Sequence, residues 1–139
     1  MRINYKEFGE LYNLPSKSHK EDSGMDLYLS EGFTLKPLET AVIGLNIGLE
    51  TPIGYTAYLV PRSSIAKKGI IVHNALIDPG YTGEIHLIVT NASNNTYEFK
   101  TGDRIASLII VPVINIEWNR REELKSSERG TGAFGSSGK

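Results

Sequence analysis

The sequence predicts an all-β fold, an antiparallel sandwich or jelly roll, on three observations. Apolar runs with a two-residue period recur about every ten residues. Gly, Pro and Asn clusters separate them. Helical composition is confined to residues 120–125, which read equally well as a linker. The chain has 139 residues, 40% of them hydrophobic and 22% charged, which suits a single domain with a sizeable core.

Each element has its own warrant. Residues 2–14 can supply an edge strand, and the polar stretch through Asp22 reads as a loop. In residues 23–29, Met25, Leu27 and Leu29 alternate with Asp26 and Tyr28, the pattern of a half-buried strand. Alone, Asp26 reads as a solvated residue on its outer face. Residues 40–50 carry the cleanest alternation, with Ala41, Ile43, Leu45, Ile47 and Leu49 on one side. Residues 54–60 form a further strand, which Pro61 ends. Two short apolar runs, Ile70 to Val72 and Ala75 to Ile77, flank His73 and Asn74 and suggest a hairpin. Ile85, Leu87 and Val89 mark the next strand, and Tyr97 with Phe99 a short one. Residues 105–113 are almost wholly apolar, as in a strand buried on both faces.

Composition excludes several functions. A formal net charge of −1 argues against a general nucleic-acid binder and favours a small partner. With no cysteine there is neither a disulfide framework nor a thiolate nucleophile, and His19, His73 and His86 lack metal-ligand spacing. No apolar run is long enough to span a bilayer and the N-terminus lacks a signal-peptide core, so the expected location is cytoplasmic or nuclear.

The densest chemistry lies in residues 61–84. Arg62, Ser63 and Ser64, with Lys67, Lys68 and Gly69 behind them, form a plausible oxyanion cradle. A guanidinium grips phosphate in a planar fork, and hydroxyls and the amides of a short helical turn donate to the remaining oxygens. Asp78 enters the turn Asp78-Pro79-Gly80-Tyr81, whose central residues suit type II. A carboxylate at a strand end near an anion cradle can activate water. Residues 126–139 are rich in Gly and Ser, yet they hold Arg129 and Phe134, a combination suited to a lid closing on a nucleotide. The expected organisation is thus a β core over 1–125 and a flexible lid over 126–139.

Five segments, residues 23–29, 61–69, 74–84, 102–108 and 129–138, together resemble in order the five motifs of the trimeric-type dUTPases. The resemblance implies a jelly-roll homotrimer with active sites shared between subunits. It also implies Mg2+-dependent cleavage of dUTP to dUMP and pyrophosphate, which supplies dUMP for thymidylate synthesis and keeps uracil out of DNA. By the same resemblance, Asp78 holds and deprotonates the water that attacks the α-phosphorus. Asp26 holds waters on Mg2+, and Arg62, Ser63 and Ser64 contact phosphates. The segment from Asn74 to Ile77 reads uracil largely through its backbone, and Tyr81 lies under the deoxyribose. Arg129, Phe134, Ser136 and Ser137 close over the substrate, while Asp103 and Arg104 are expected in structural ion pairing.

Four positions depart from the family pattern. Ser107 stands where Gln is usual, and Ala133, Ser64 and His73 stand where Gly is common. Ala133 is costly only if its backbone needs a positive φ. A dCTP deaminase shares the Arg-Ser-Ser and Asp-Pro-Gly elements, but the position of its proton-shuttling glutamate falls on Ile88, which cannot titrate. A nucleotide-binding regulator without turnover is the rival from another class, and the presence of both Asp78 and Asp26 speaks against it.

Overall fold

The computed structural model describes residues 1–73 and 75–133. Eleven strands and one four-residue helix are present among them: β1 (Asn4–Glu7), β2 (Met25–Tyr28), β3 (Phe33–Leu35), β4 (Thr40–Gly44), β5 (Ile47–Glu50), β6 (Tyr55–Pro61), α1 (Ser63–Ala66), β7 (Ile70–His73), β8 (Leu76–Ile77), β9 (His86–Asn91), β10 (Tyr97–Phe99) and β11 (Arg104–Pro112). All pairing is antiparallel. A sheet in the order β2-β11-β6-β8 and another in the order β4-β9-β7 are flanked by the ribbons β1-β5 and β10-β3. Leu27, Leu59 and Leu108 from the first sheet join Ile70, Leu87 and Val89 from the second in one core. No helix among the described residues is long and apolar enough to cross a membrane.

Most expected strands are present, with four differences. The alternating run 40–50 is cut in two by Asn46, whose φ of 56° turns the chain out of the β region. The break is held by the Asn46 amide donating to Glu84 Oε1 (2.8 Å) and its side-chain Nδ2 donating to the Glu10 carbonyl (2.9 Å). Strand β4 then joins β9, whereas β5 joins β1. The expected hairpin around His73 is likewise absent: β7 pairs with β9 and β8 with β6, so the segment crosses between sheets. The Asp78 turn is closed by the Tyr81 amide donating to the Asp78 carbonyl (3.0 Å), but Gly80 does not have the positive φ that type II requires. Finally, β11 is buried only over its first half. Strand β2 covers Arg104 to Leu108, beyond which β6 is the sole neighbour, and Ile109, Ile110 and Val111 are half-exposed.

Residues 120–125 form no helix, and from Val113 to Ala133 the chain carries neither strand nor helix. Ala133 has no positive φ, so the alanine there is unstrained.

A buried amide ties the two ends of this architecture. Asn91, fully buried at the end of β9, donates through Nδ2 to the carbonyls of Leu35 (3.2 Å) and Asn95 (2.7 Å). Its Oδ1 accepts from the Ser93 amide (3.0 Å) and hydroxyl (2.8 Å). Every polar atom of the side chain is satisfied, which is the condition for burying it without penalty. Asn91→Asp keeps the shape but sets a carboxylate against two carbonyls. It should destabilise the fold by about 2–4 kcal/mol, read as a lower midpoint in urea unfolding, because a buried unmatched polar group costs this much. An unchanged midpoint would show that water reaches the site.

Candidate active site

Local sequence sets up the cradle. Pro61 ends β6, Arg62 in extended conformation (φ −79°, ψ 141°) caps α1, and the buried Ile65 anchors that single turn to the core. Gly69, with φ of 78°, lets the chain leave the turn into β7. Ser63 and Ser64 therefore stand exposed at the first turn, where helical amides have no intrahelical acceptor.

Asp26 is the centre of the site. It lies on β2 beside β11, and it is buried, contrary to its reading as a solvated strand residue. Oδ2 accepts from Arg104 Nη1 (2.9 Å) and the Ser18 hydroxyl (3.1 Å), with Arg62 Nη1 at 3.4 Å. Oδ1 accepts from the Ser107 hydroxyl at 2.9 Å. Arg104 Nη1 also donates to Ser18 Oγ (2.8 Å). Of the two residues expected in ion pairing, Arg104 pairs with Asp26 and so belongs to the site, whereas Asp103 accepts the Lys100 amide in its own turn (2.8 Å). Arg104, Ser107 and Ser18 are the residues that sequence reasoning did not assign to this cluster. The register that sets Ser107 opposite Asp26 was the missing information.

Two cavities meet at this cluster. One of about 390 Å3 is lined by Arg62, Ser64, Lys68 and Arg104, with Glu98 and Asp103 on its other side. The second, about 610 Å3, is lined by Ser18, His19, Asp22, Asp26, Arg62, Arg104 and Ser107 among others. Both suit an anionic ligand that spans the shared arginines. The described residues contain no cluster of three acidic or histidine side chains able to cage a metal.

The remaining expected site residues lie elsewhere. Ile77 is buried in β8, so only its backbone can face a ligand, and its carbonyl accepts from the Thr56 hydroxyl (3.2 Å). Asp78 is exposed and lines neither cavity. In the register of β6 with β8, Ile77 faces Ala57, which puts Asp78 level with Thr56, six residues along the strand from Arg62. At the rise of a β-strand that is roughly 20 Å, beyond the reach of an arginine side chain. Tyr81 is half-exposed and pinned, its hydroxyl donating to the Glu84 carbonyl (2.6 Å) with the ring packed on Gly83. Arg129 is exposed and donates through Nε to the Gly132 carbonyl (3.0 Å). Asn74, Phe134, Ser136 and Ser137 lie outside the described residues.

The fold and the sequence find the same relatives. A family model described as dUTPase matches residues 11–138. The deoxyuridine 5'-triphosphate nucleotidohydrolase of Nautilia profundicola is 39% identical over the whole of both chains. That of Wolbachia pipientis wMel is 41% identical over 94% of this chain and 90% of its own. Among solved structures, the dUTPase of Staphylococcus bacteriophage 80alpha with dUpNHpp superposes with a TM-score of 0.91 at 30% identity, covering 99% of this chain and 98% of that one. A mutant dUTPase of phage phi11 of S. aureus, described with a structural Mg(II) ion, superposes at 0.84 with 26% identity, covering 91% and 100%. On this agreement between motifs, fold and relatives, the chain belongs to the dUTPase family.

Proposed function

We propose that the chain hydrolyses dUTP to dUMP and pyrophosphate, in sites that each draw on more than one subunit of a homotrimer, and so supplies dUMP for thymidylate synthesis and keeps uracil out of DNA. The observation that carries the reading is the Asp26 cluster: two arginines converge on two cavities beside exposed serine hydroxyls, as a triphosphate requires.

The site fits a hydrated magnesium ion. Magnesium retains waters and prefers a few carboxylate and phosphate oxygens to an all-protein cage. Asp26 offers that much: Oδ2 already accepts two hydrogen bonds, and Oδ1 keeps a lone pair for a metal-bound water. When bound, Mg2+ would neutralise triphosphate charge and favour departure of pyrophosphate. Asp26 orients this region, while Arg62, Arg104, Ser63 and Ser64 hold phosphate oxygens. Asp78 takes the proton of the attacking water. The water oxygen bonds to the α-phosphorus, the bond to the α–β bridging oxygen breaks, and pyrophosphate leaves. The backbone around residues 74–77 reads uracil, and the pinned ring of Tyr81 packs on the sugar where a 2′-hydroxyl would sit. Residues 126–139 act as the lid on the core of residues 1–125, Arg129, Ser136 and Ser137 on phosphates and Phe134 on the base.

The test of this reading is product identity. With Mg2+, dUTP should give dUMP and pyrophosphate, and dCTP should give no ammonia, since Ile88 stands where a deaminase needs an acid. Orthophosphate from the γ position, or ammonia, would refute it.

Asp78→Asn should lower kcat by about 10²–10⁴ and leave dUpNHpp binding nearly intact, because the phosphate contacts come from the other end of β6. A loss of less than about tenfold would make Asp78 only a turn residue.

The separation of Asp78 from Arg62 supports a shared site. Co-refolding Asp78→Asn with Arg62→Ala tests it. If each site takes Asp78 from one subunit and Arg62 from the next, random threefold assembly restores both native residues in about a quarter of sites. No gain over the separate variants, with mixed trimers verified by native mass spectrometry, would place both residues in one chain's site.

A further inference from the structure

The departure at position 107 has a chemical consequence at the metal side of the site. We propose that Ser107 is a positioning residue of the magnesium subsite, one that accepts hydrogen bonds from cation-bound water and donates none to the triphosphate. The inference rests on the dUTP reading above.

A carboxylate cannot donate, so the contact between Ser107 Oγ and Asp26 Oδ1 (2.9 Å) spends the only hydroxyl proton of Ser107. The same holds for Ser18, whose proton goes to Oδ2 (3.1 Å) while its oxygen accepts from Arg104 (2.8 Å). The carboxylate thereby draws both serine protons onto itself. Towards the 610 Å3 cavity, Ser107 and Oδ1 present adjacent lone pairs and no donor. Phosphate oxygens at neutral pH are acceptors too, so they find nothing to bind at this spot. Water on a divalent cation has the opposite character: its protons are more acidic and it donates strongly. The usual glutamine of the family would bring N–H donors as well as a carbonyl acceptor to this position, whereas a serine with a spent proton keeps only the acceptor.

Local packing keeps the arrangement fixed. Ser107 is paired on both sides, with Asp26 in β2 and Val60 in β6. A Cβ on Gly24 would come to 3.0 Å from its Cβ, so the backbone leading into β2 closes tightly over it.

The experiment compares wild type, Ser107→Ala and Ser107→Gln in two titrations. In the first, dUpNHpp binds in EDTA and calorimetry reports nucleotide affinity. In the second, Mn2+ binds to the enzyme–dUpNHpp complex and electron paramagnetic resonance reports free metal. Ser107→Ala should weaken Mn2+ by about three- to tenfold, the worth of one hydrogen bond, with nucleotide affinity in EDTA unchanged. Ser107→Gln, which restores donors, should tighten dUpNHpp in EDTA. If Ser107→Ala instead loses nucleotide affinity in EDTA, the serine donates to phosphate and the proposal is wrong. It is equally wrong if neither affinity moves. A wild-type protein that binds no dUpNHpp would overturn the dUTP reading itself, and this inference with it.

Discussion

Asp26 lies almost out of water between two guanidiniums, Arg104 at 2.9 Å and Arg62 at 3.4 Å. The rest of this cluster depends on the pairing. Without the carboxylate the two arginines would repel one another across a narrow gap. With it, their forks are held in place before any ligand arrives. The cluster has one negative and two positive charges, so it keeps a net positive charge for an anion. The ion pair is also a crosslink in the sheet: Asp26 comes from β2, Arg104 from β11, and Arg62 from the turn that follows β6. Organising the site and closing the neighbouring strands are one event.

The second constraint is the length of β6. One end carries Arg62 and α1, and the other, through its pairing with β8, carries Asp78. At the rise of a β-strand, that register sets Asp78 and Arg62 roughly 20 Å apart along β6. Within one chain the arginine cluster and Asp78 therefore stand at opposite ends of a single strand. Ile109, Ile110 and Val111 are left half-exposed where β2 ends, and Ile114, Ile116 and Trp118 beyond them are exposed.

Much of this was legible in the sequence because a two-residue period and turn chemistry report local geometry directly. The strands around Leu27, Leu87 and Phe99 lie where their alternation puts them. What escaped depends on pairing across long stretches of chain. Alternation through residues 40–50 is real, yet it hides the left-handed Asn46, which a partner 38 residues away, Glu84, stabilises. The run around His73 has the period of a hairpin, but β7 and β8 find better partners in β9 and β6. The misreading of Asp26 has the same origin. A lone acid in an alternating strand looks solvated until β11 and the turn after β6 bring two cations to it.

Position 107 shows how such pairing turns a local departure into chemistry. In sequence, Ser107 is only a shorter side chain where glutamine is usual. In the fold, the serine faces a carboxylate across a strand pair, and its proton goes there. A neighbour 81 residues away therefore leaves this hydroxyl only an acceptor towards the cavity. A substitution at a binding surface is judged by what remains of its hydrogen-bonding capacity after the fold has taken its share. For Ser107 what remains is lone pairs alone.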